Sequence, residues 1–254
     1  MRKTEYEIMY REENSHWWYV SLHELILEYV PQNNPGQRIL DAGCGTGRLL
    51  QLLQSRGTAA GCDASDLALH YCAKRGVSAF KYDLSSCSLE PAGFDVITSI
   101  DVLYHRGVRD DEAVLRNMHG ALKPGGRLIL QVPAYEWLRS SHDDAVHTGR
   151  RYTRERVIRM LKACGFIVEK ATYRVTLLFI PIALVRLARR MVRLNRANPD
   201  GASDVKKHSA LINALLLVVM KAENRLLKNI SVPFGASVFV VGRKPDFSGE
   251  IRLR

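Results

Sequence analysis

The sequence predicts an α/β protein. Its frame is a doubly wound, mostly parallel sheet of seven strands with an antiparallel last strand, an N-terminal helix and two helices inserted before that last strand. Three observations carry the prediction. Between residues 38 and 132, short apolar runs alternate with stretches of helical periodicity, the rhythm of the β-α-β units that build parallel sheets. The first run, Arg38-Ile39-Leu40-Asp41, passes through Ala42-Gly43-Cys44-Gly45-Thr46-Gly47 into an apolar helical face at Leu49, Leu50, Leu52 and Leu53. That is a strand, a tight turn and a helix in succession. A last apolar run at 236–242 follows the run at 166–173 by about 60 residues, too far for a plain loop.

Taken in order, residues 1–30 read as helix, with Leu22, Leu25, Ile26 and Tyr29 at helical spacing behind Ser15-His16-Trp17-Trp18-Tyr19. Trp17 and Trp18 either pack on the domain or fold over a ligand pocket as a lid. Pro31, Asn33, Asn34, Pro35 and Gly36 make the connection to the first strand. The second strand, 58–62, ends at Asp63, and a helix runs from Leu67 to Arg75. A short third strand, 78–81, leads to Asp83-Leu84, and the fourth, 94–100, ends at Asp101. A helix over 111–122 stops at Lys123-Pro124-Gly125-Gly126, before a fifth strand at 127–132. Thr153 caps a helix over 154–161 ahead of strand six. The chain thus divides into an N-terminal cap (1–35), a core (36–175), an inserted helical pair (176–232) and the last strand with its tail (233–254). A hydrophobic content of 46% supports a substantial core.

Glycines in the turn let the backbone approach a ligand without a Cβ in the way. The following helix points free N–H groups at the same place, which favours an anionic group there. On the glycines alone, the turn fits an S-adenosylmethionine (SAM) site, a dinucleotide site or a plain tight turn. The dinucleotide pattern G-x-G-x-x-G needs its third glycine where this chain has Arg48. Asp41, Asp63, Asp83 and Asp101 fall at four successive strand ends, the edge at which doubly wound sheets bind ligands. One aspartate there is an ordinary turn former; four together with the glycine turn indicate a site. Asp63 lies 20 residues after Gly43, where an acid can accept ribose hydroxyls. Asp83 is placed to accept the exocyclic amine of adenine.

The D-x-G-x-G-x-G pattern at 41–47 resembles motif I of the class I SAM-dependent methyltransferases. With the Leu122-Lys123-Pro124-Gly125-Gly126 turn, the resemblance covers roughly residues 36–135. It implies a Rossmann-like sheet, SAM as cofactor and S-adenosylhomocysteine as product. It also implies that Asp41, Gly43 and Gly45 line the methionine part, Asp63 the ribose, and Asp83 with Leu84 the adenine, with Ile100 and Asp101 near the sulfonium. Ser99-Ile100-Asp101-Val102-Leu103-Tyr104-His105 further resembles the small-molecule group of that family, which carries a histidine just after strand four. An N-P-P-Y-type segment and a catalytic cysteine pair, as nucleic-acid enzymes would have, do not occur in the sequence.

Directly after strand five, residues 133–153 hold Tyr135, His142, Asp143, His147, Arg150 and Arg151. His142, His147 or His105 is the expected general base for a hydroxyl acceptor. Asp143 would orient a histidine, and Arg150 and Arg151 would hold a carboxylate or phosphate. Trp17, Trp18, Tyr135, Arg150 and Arg151 make up the expected substrate-binding set. The alternative is a polar surface loop. No metal is expected: methyl transfer needs none, and His142, Asp143 and His147 are an incomplete ligand set.

The net charge of +11 is uneven: residues 1–173 carry about +1 and residues 174–254 carry +10. The inserted helices, about 176–196 and 208–229, hold Leu177, Leu178, Phe179, Ile180, Ile182, Leu184, Val185 and Leu187, then Arg186, Arg189, Arg190, Arg193 and Arg196, with a turn at 198–204. Each apolar run is about 11 residues, shorter than the ~20 that span a bilayer, and basic amphipathic helices of this kind lie in a membrane interface. The pair reads as a substrate lid with membrane contact, or as helices packed on the sheet or on a second subunit. Nucleic acid is a weaker expectation, because the basic region lacks interleaved aromatics. The five scattered cysteines suggest reduced thiols and a cytosolic chain, and the polar N-terminus does not resemble a signal peptide. The expected location is cytoplasmic, with peripheral contact at the inner face of the membrane. The expected activity is methyl transfer to a small apolar or amphipathic acceptor such as a lipid, an isoprenoid or a lipid-linked saccharide. A soluble metabolite as acceptor, or a non-catalytic SAM- or nucleotide-binding protein, is the alternative. Acceptor atom and subunit number stay open.

Overall fold

The computed structural model describes residues 1–32, 34, 36–86, 89–193 and 209–246. Its frame is a sheet of β1 (Arg38–Ala42), β2 (Thr58–Asp63), β3 (Ala79–Lys81), β4 (Phe94–Ile100), β5 (Leu122–Pro133), β6 (Ile167–Arg174) and β7 (Ser237–Arg243). The spatial order is β3-β2-β1-β4-β5-β7-β6. β1 to β5 pair in parallel, and β7 runs antiparallel to both β5 and β6. The predicted seven-stranded mixed sheet is therefore present. Strand order reverses between β1 and β4, so the crevice beyond their C-terminal ends is the topological switch point.

Helices α1 (Lys3–Glu12), α2 (Trp17–Tyr29), α3 (Arg48–Leu53), α4 (Asp66–Arg75), α5 (Asp111–Ala121), α6 (Ser141–Ala145), α7 (Arg154–Ala163), α8 (Phe179–Arg193) and α9 (Ala210–Asn229) flank it. Successive strand residues point to opposite faces, and both faces are covered, which is why the strands read as continuous apolar runs. Leu40, Ile97, Leu128, Leu130 and Val240 pack with Leu115 and Met118 of α5 and Leu161 of α7. Ile39, Val96, Ile129, Phe239 and Val241 pack on the other side with Leu22, Leu25 and Ile26 of α2 and Leu49 and Leu53 of α3.

Leu227 of α9 joins this second cluster. On the same helix Asn224 donates to the Ser21 carbonyl at 2.6 Å, and Lys221 and Lys228 each lie 2.8 Å from Glu24 and Glu28 of α2. The C-terminal half of α9 is thus built into the core. Its N-terminal half exposes Leu211, Leu215 and Val218, while α8 exposes Ile180, Leu184 and Leu187.

Two elements differ from the sequence reading. The single helix expected over 1–30 is broken at Glu13–His16, where His16 adopts an extended conformation and its ring accepts the Trp18 N–H, starting α2. The break turns Glu13 inward. β5 begins at Leu122, five residues early, because Leu122 already pairs with Phe94; the ladder resumes at Arg127 opposite Val96 after an irregularity that contains Gly125 at φ +75°. The expected turn at 198–204 and Arg196 lie outside the described residues.

Candidate active site

A cavity of about 970 Å³ opens at the switch point. Asp41, Gly43, Gly45, Asp63, Asp83, Leu84, Ile100 and Asp101 all line it, as do Trp17, Trp18, His105, His142 and Arg151; Tyr135, His147 and Arg150 do not.

At the β1 end, register sets Asp41 opposite Thr98 of β4, and the Thr98 hydroxyl donates to Asp41 Oδ1 at 2.7 Å. Burial pushes the Asp41 carboxyl up to about 7 against that hydrogen bond, and neighbouring Asp63 and Glu13 push the same way. Such a carboxylate is energetically costly unless a cation arrives. The turn beyond it must carry glycine at 43: φ is +83°, and a Cβ would sit 2.3 Å from Val102 Cγ2. Asp63 accepts the Gly45 N–H at 3.0 Å and the Ser65 N–H at 2.9 Å. It thereby ties the glycine turn to the β2–α4 loop, with further lone pairs free to face a ligand. Asp83, exposed at the rim, accepts from Ser85 N–H at 2.9 Å and Ser86 Oγ at 2.8 Å, bonds that hold its pKa below the usual carboxylate range. Leu84 beside it is buried. Asp101 has φ +55°, an uncommon conformation for a non-glycine residue. It accepts Gln131 Nε2 at 2.9 Å, and burial lifts its carboxyl to about 6 while Gln131, Arg174 and Arg151 oppose the rise.

The 134–152 segment is organised otherwise than expected. Arg151 is not available to a substrate anion. Its Nε and Nη2 grip both oxygens of buried Asp143 at 2.8 and 3.0 Å, and Nη1 donates to the Ala134 carbonyl at 2.9 Å. Asp143 therefore holds an arginine rather than a histidine. A fully hydrogen-bonded buried pair of this kind costs about 3–5 kcal/mol to break on one side, so its role is to fix the loop. Arg150 turns away from the cavity to Asp111 at 2.8 Å and to the Leu103 and Val108 carbonyls. Tyr135 stacks on Tyr173 and Trp137, with ring centroids 5.1 and 5.8 Å apart. His147 is drawn to the Met1 amino group, 3.1 Å from its Nδ1, and burial lowers its pKa. His105 does face the cavity, but its Nδ1 accepts the Gly107 N–H at 3.1 Å, and burial, then the Met1 ammonium, lowers it to about 4. His142 also faces the cavity, with Nδ1 4.0 Å from Glu5 Oε2.

Several lining residues escaped the sequence reading: Glu13, Tyr19, His23 and Tyr104. Glu13, 4% exposed, reaches the glycine turn, accepting from the Thr46 hydroxyl and from Arg75 at 2.5 Å. Burial still pushes it up to about 7. Tyr19 and His23 are one helical turn apart, a spacing that could have marked a second inward pair beside the tryptophans.

These acids suit SAM, which carries an ammonium, a ribose diol and an adenine amine for Asp41, Asp63 and Asp83 to meet. A family model described as a methyltransferase domain matches residues 12–171, and the chain belongs to the class I SAM-dependent methyltransferases. The human protein named probable tRNA methyltransferase 9B is 31% identical over 112 residues, covering 44% of this chain and 24% of that protein. The ubiquinone biosynthesis O-methyltransferase of Idiomarina loihiensis is 29% identical over 134 residues, covering 45% and 54%. The chain thus matches about half the length of the latter and a quarter of the former. A solved SAM-dependent methyltransferase from Mesorhizobium loti shares the fold at 17% identity, with a TM-score of 0.60 over 91% of this chain and 100% of that one.

Proposed function

We propose that this protein transfers the methyl group of SAM to a small apolar or amphipathic acceptor such as a lipid, an isoprenoid or a lipid-linked saccharide. The observation that carries the reading is the continuity of the cavity. It runs from the aspartates at the strand ends to Leu178, Pro181, Ile182 and Val185 of the α8 segment and Leu216 of α9. SAM, when bound, supplies an electrophilic methyl carbon beside a sulfonium. This chain then contributes position and dryness. Asp41 would hold the ammonium, Asp63 the ribose and Asp83 with Leu84 the adenine, while Met1 with Glu5 and Met9 of α1 and Trp17 and Trp18 of α2 line the cavity beside them. Orienting both reactants and excluding water accounts for most of the acceleration in such a displacement.

The reading includes a cytoplasmic protein with peripheral membrane contact. Ile180, Leu184 and Leu187 of α8 and Leu211, Leu215 and Val218 of α9 recur at i, i+4 and i+7 and are all exposed. Residues 186–207 carry seven Lys/Arg against two Asp/Glu, and apolar stripes beside positive charge suit an anionic bilayer surface. No helix among the described residues is long and apolar enough to cross a membrane.

A second acceptor class, RNA, is favoured by the tRNA methyltransferase relative and by the +10 charge of residues 174–254. Incubating the protein with methyl-labelled SAM and lysate from its own source separates the two. Label in the organic phase supports a lipid acceptor, and label in RNA supports the second reading. Label confined to aqueous small molecules would reduce α8 and α9 to packing elements.

A further inference from the structure

The junction between α1 and α2 touches the glycine turn at one end and α9 at the other. Thr46 lies in that turn between Gly45 and Gly47, both at positive φ. Glycine takes either sign of φ readily, so the turn by itself leaves the Thr46 peptide loosely specified. Three contacts fix it. The buried Thr46 hydroxyl donates to Glu13 Oε1, Arg75 Nε donates to the Thr46 carbonyl at 3.0 Å, and Arg75 Nη2 closes the triangle on the same Glu13 oxygen at 2.5 Å. One residue before Thr46, the Gly45 N–H is the donor to Asp63. A Cβ at Gly45 would stand 3.2 Å from Met9 Sδ, so α1 rests on the turn as well. At the other end, Asn213 Oδ1 accepts the Trp17 N–H and Asn213 Nδ2 donates to the Ser15 carbonyl, both at 2.9 Å. Trp17 opens α2, so its N–H has no acceptor within that helix, and α9 supplies one. Asn213 and Leu216 are three residues apart on one helix face, and Leu216 lines the cavity. Between its two anchors the chain is short and stiff. Four peptide units reach at most about 14 Å, and the Ser15 and His16 N–H groups both donate to the Glu12 carbonyl, at 3.0 and 2.8 Å.

We propose that Glu13 is a positioning residue for the cofactor, acting through Thr46, and that residues 13–17 form a strap by which the cofactor turn and the α9 side of the cavity set each other's position. The inference rests on the proposed function in one point, that the α8–α9 end of the cavity takes the acceptor; the cofactor end is independent of it. A cofactor seated against the turn holds Gly45 and Thr46 in one arrangement. Glu13 is held with them, because a buried carboxylate cannot give up its donors without leaving Arg75 and Thr46 unpaired. Asn213 follows, because letting go of Trp17 and Ser15 costs a hydrogen bond at each. Leu216 then stands in its place in the cavity wall. Ordering at one end lowers the entropy that remains to be lost at the other, so cofactor and acceptor favour one another. By linkage the factor is the same in both directions.

The test uses the full chain with S-adenosylhomocysteine as the only probe, read by calorimetry and by amide hydrogen exchange. Thr46→Val keeps the shape of the side chain and removes the hydroxyl; it should weaken binding by roughly tenfold, the loss expected of a hydrogen bond to a charged group. Thr46→Ser restores the hydroxyl and should bind within about twofold of wild type. In the wild type the probe should slow exchange of amides 213–218 of α9 by about fivefold, while amides of α7, none of which borders the cavity, keep their rates. In Asn213→Ala that protection should vanish, and affinity for the probe should change by no more than the coupling factor itself, about fivefold. Unchanged affinity in Thr46→Val would make the Glu13–Thr46 contact a matter of stability alone and overturn the positioning role. Protection of α9 that is absent in the wild type, or that persists in Asn213→Ala, would overturn the strap. Failure of the wild type to bind the probe would instead overturn the cofactor assignment.

Discussion

Asp41 shows how one residue's surroundings set a measurable property. Burial raises its carboxyl to about 7, with Asp63 and Glu13 adding to the effect and Thr98 opposing it. A cationic ligand group needs the carboxylate, so binding must remove the proton where one is present. SAM affinity should therefore be greatest above pH 7 and weaken by roughly tenfold per unit as pH falls toward 5, by proton linkage. In Asp41→Asn affinity should be low and the slope shallow, keeping only the part due to Glu13 and Asp63. Calorimetric titration across that range checks this, and a wild-type slope shared by the variant would remove Asp41 from the cofactor contact. The same scale shows what local sequence conveys. The aspartates were legible because each ends an apolar run, and the rise of a parallel strand delivers such a residue to the ligand edge. Arg151 was not. Its composition suggested an anion site, yet Asp143, eight residues earlier, already satisfies it in the folded chain.

Among elements, the root of the inserted helices depends on one side chain. Glu223 of α9, 2% exposed, accepts the N–H groups of Val175, Thr176 and Leu177 at 2.6, 2.8 and 2.9 Å. These amides lie between β6 and α8 and have no strand or helix ladder to join. In Glu223→Gln one carbonyl oxygen must serve three donors. Losing one or two charge-assisted hydrogen bonds at about 1.5–3 kcal/mol each should speed amide exchange at 175–177 by tenfold or more. Amides of β1 and β4 should exchange at the wild-type rate; a uniform acceleration would mean that Glu223 supports the whole fold instead. Element existence was readable from period for the seven strands and the longer core helices, whereas α6, a single short turn of mostly polar residues, was not anticipated. Where boundaries differed, a long-range partner had intervened. The break before α2 follows Glu13 reaching Thr46 and Arg75, and the early start of β5 follows its pairing with Phe94.

For the whole molecule, the inserted helices join two roles. Their inner residues wall the cavity, and Leu227 with Met220 is fully buried in the core. Deleting the pair would therefore uncover α2 and report on folding instead of membrane contact. Point changes avoid that. Leu184→Glu with Val218→Glu, both at exposed positions, should leave thermal stability unchanged, since surface changes typically stay within about 0.5 kcal/mol. Co-sedimentation with vesicles containing anionic lipid should be lost. Wild-type binding should also fall steeply as salt rises toward about 1 M, where the Debye length shrinks to roughly 3 Å. Equal binding of wild type and double variant would end the membrane proposal while leaving the cofactor site untouched.

The sequence by itself determined the sheet, the order of its strands along the chain and the edge at which a ligand binds, and the resemblance of its motifs to a known family implied the class of cofactor. Those depend on period, on glycine at a turn and on acids at strand ends, all of which are local properties. Only the tertiary structure decided which remote side chains line one cavity. Tyr19 and Asp101 are remote in the chain, and nothing in either neighbourhood indicates the other. That both line the cavity depends on α2 packing on the sheet, which rests on the burial of Leu22, Leu25 and Ile26 against Ile39, Val96 and Ile129. Tertiary partners also took up Arg150 and Arg151: Asp111 with two carbonyls holds the first, and Asp143 with the Ala134 carbonyl holds the buried second, because a buried guanidinium is stable only where such acceptors surround it.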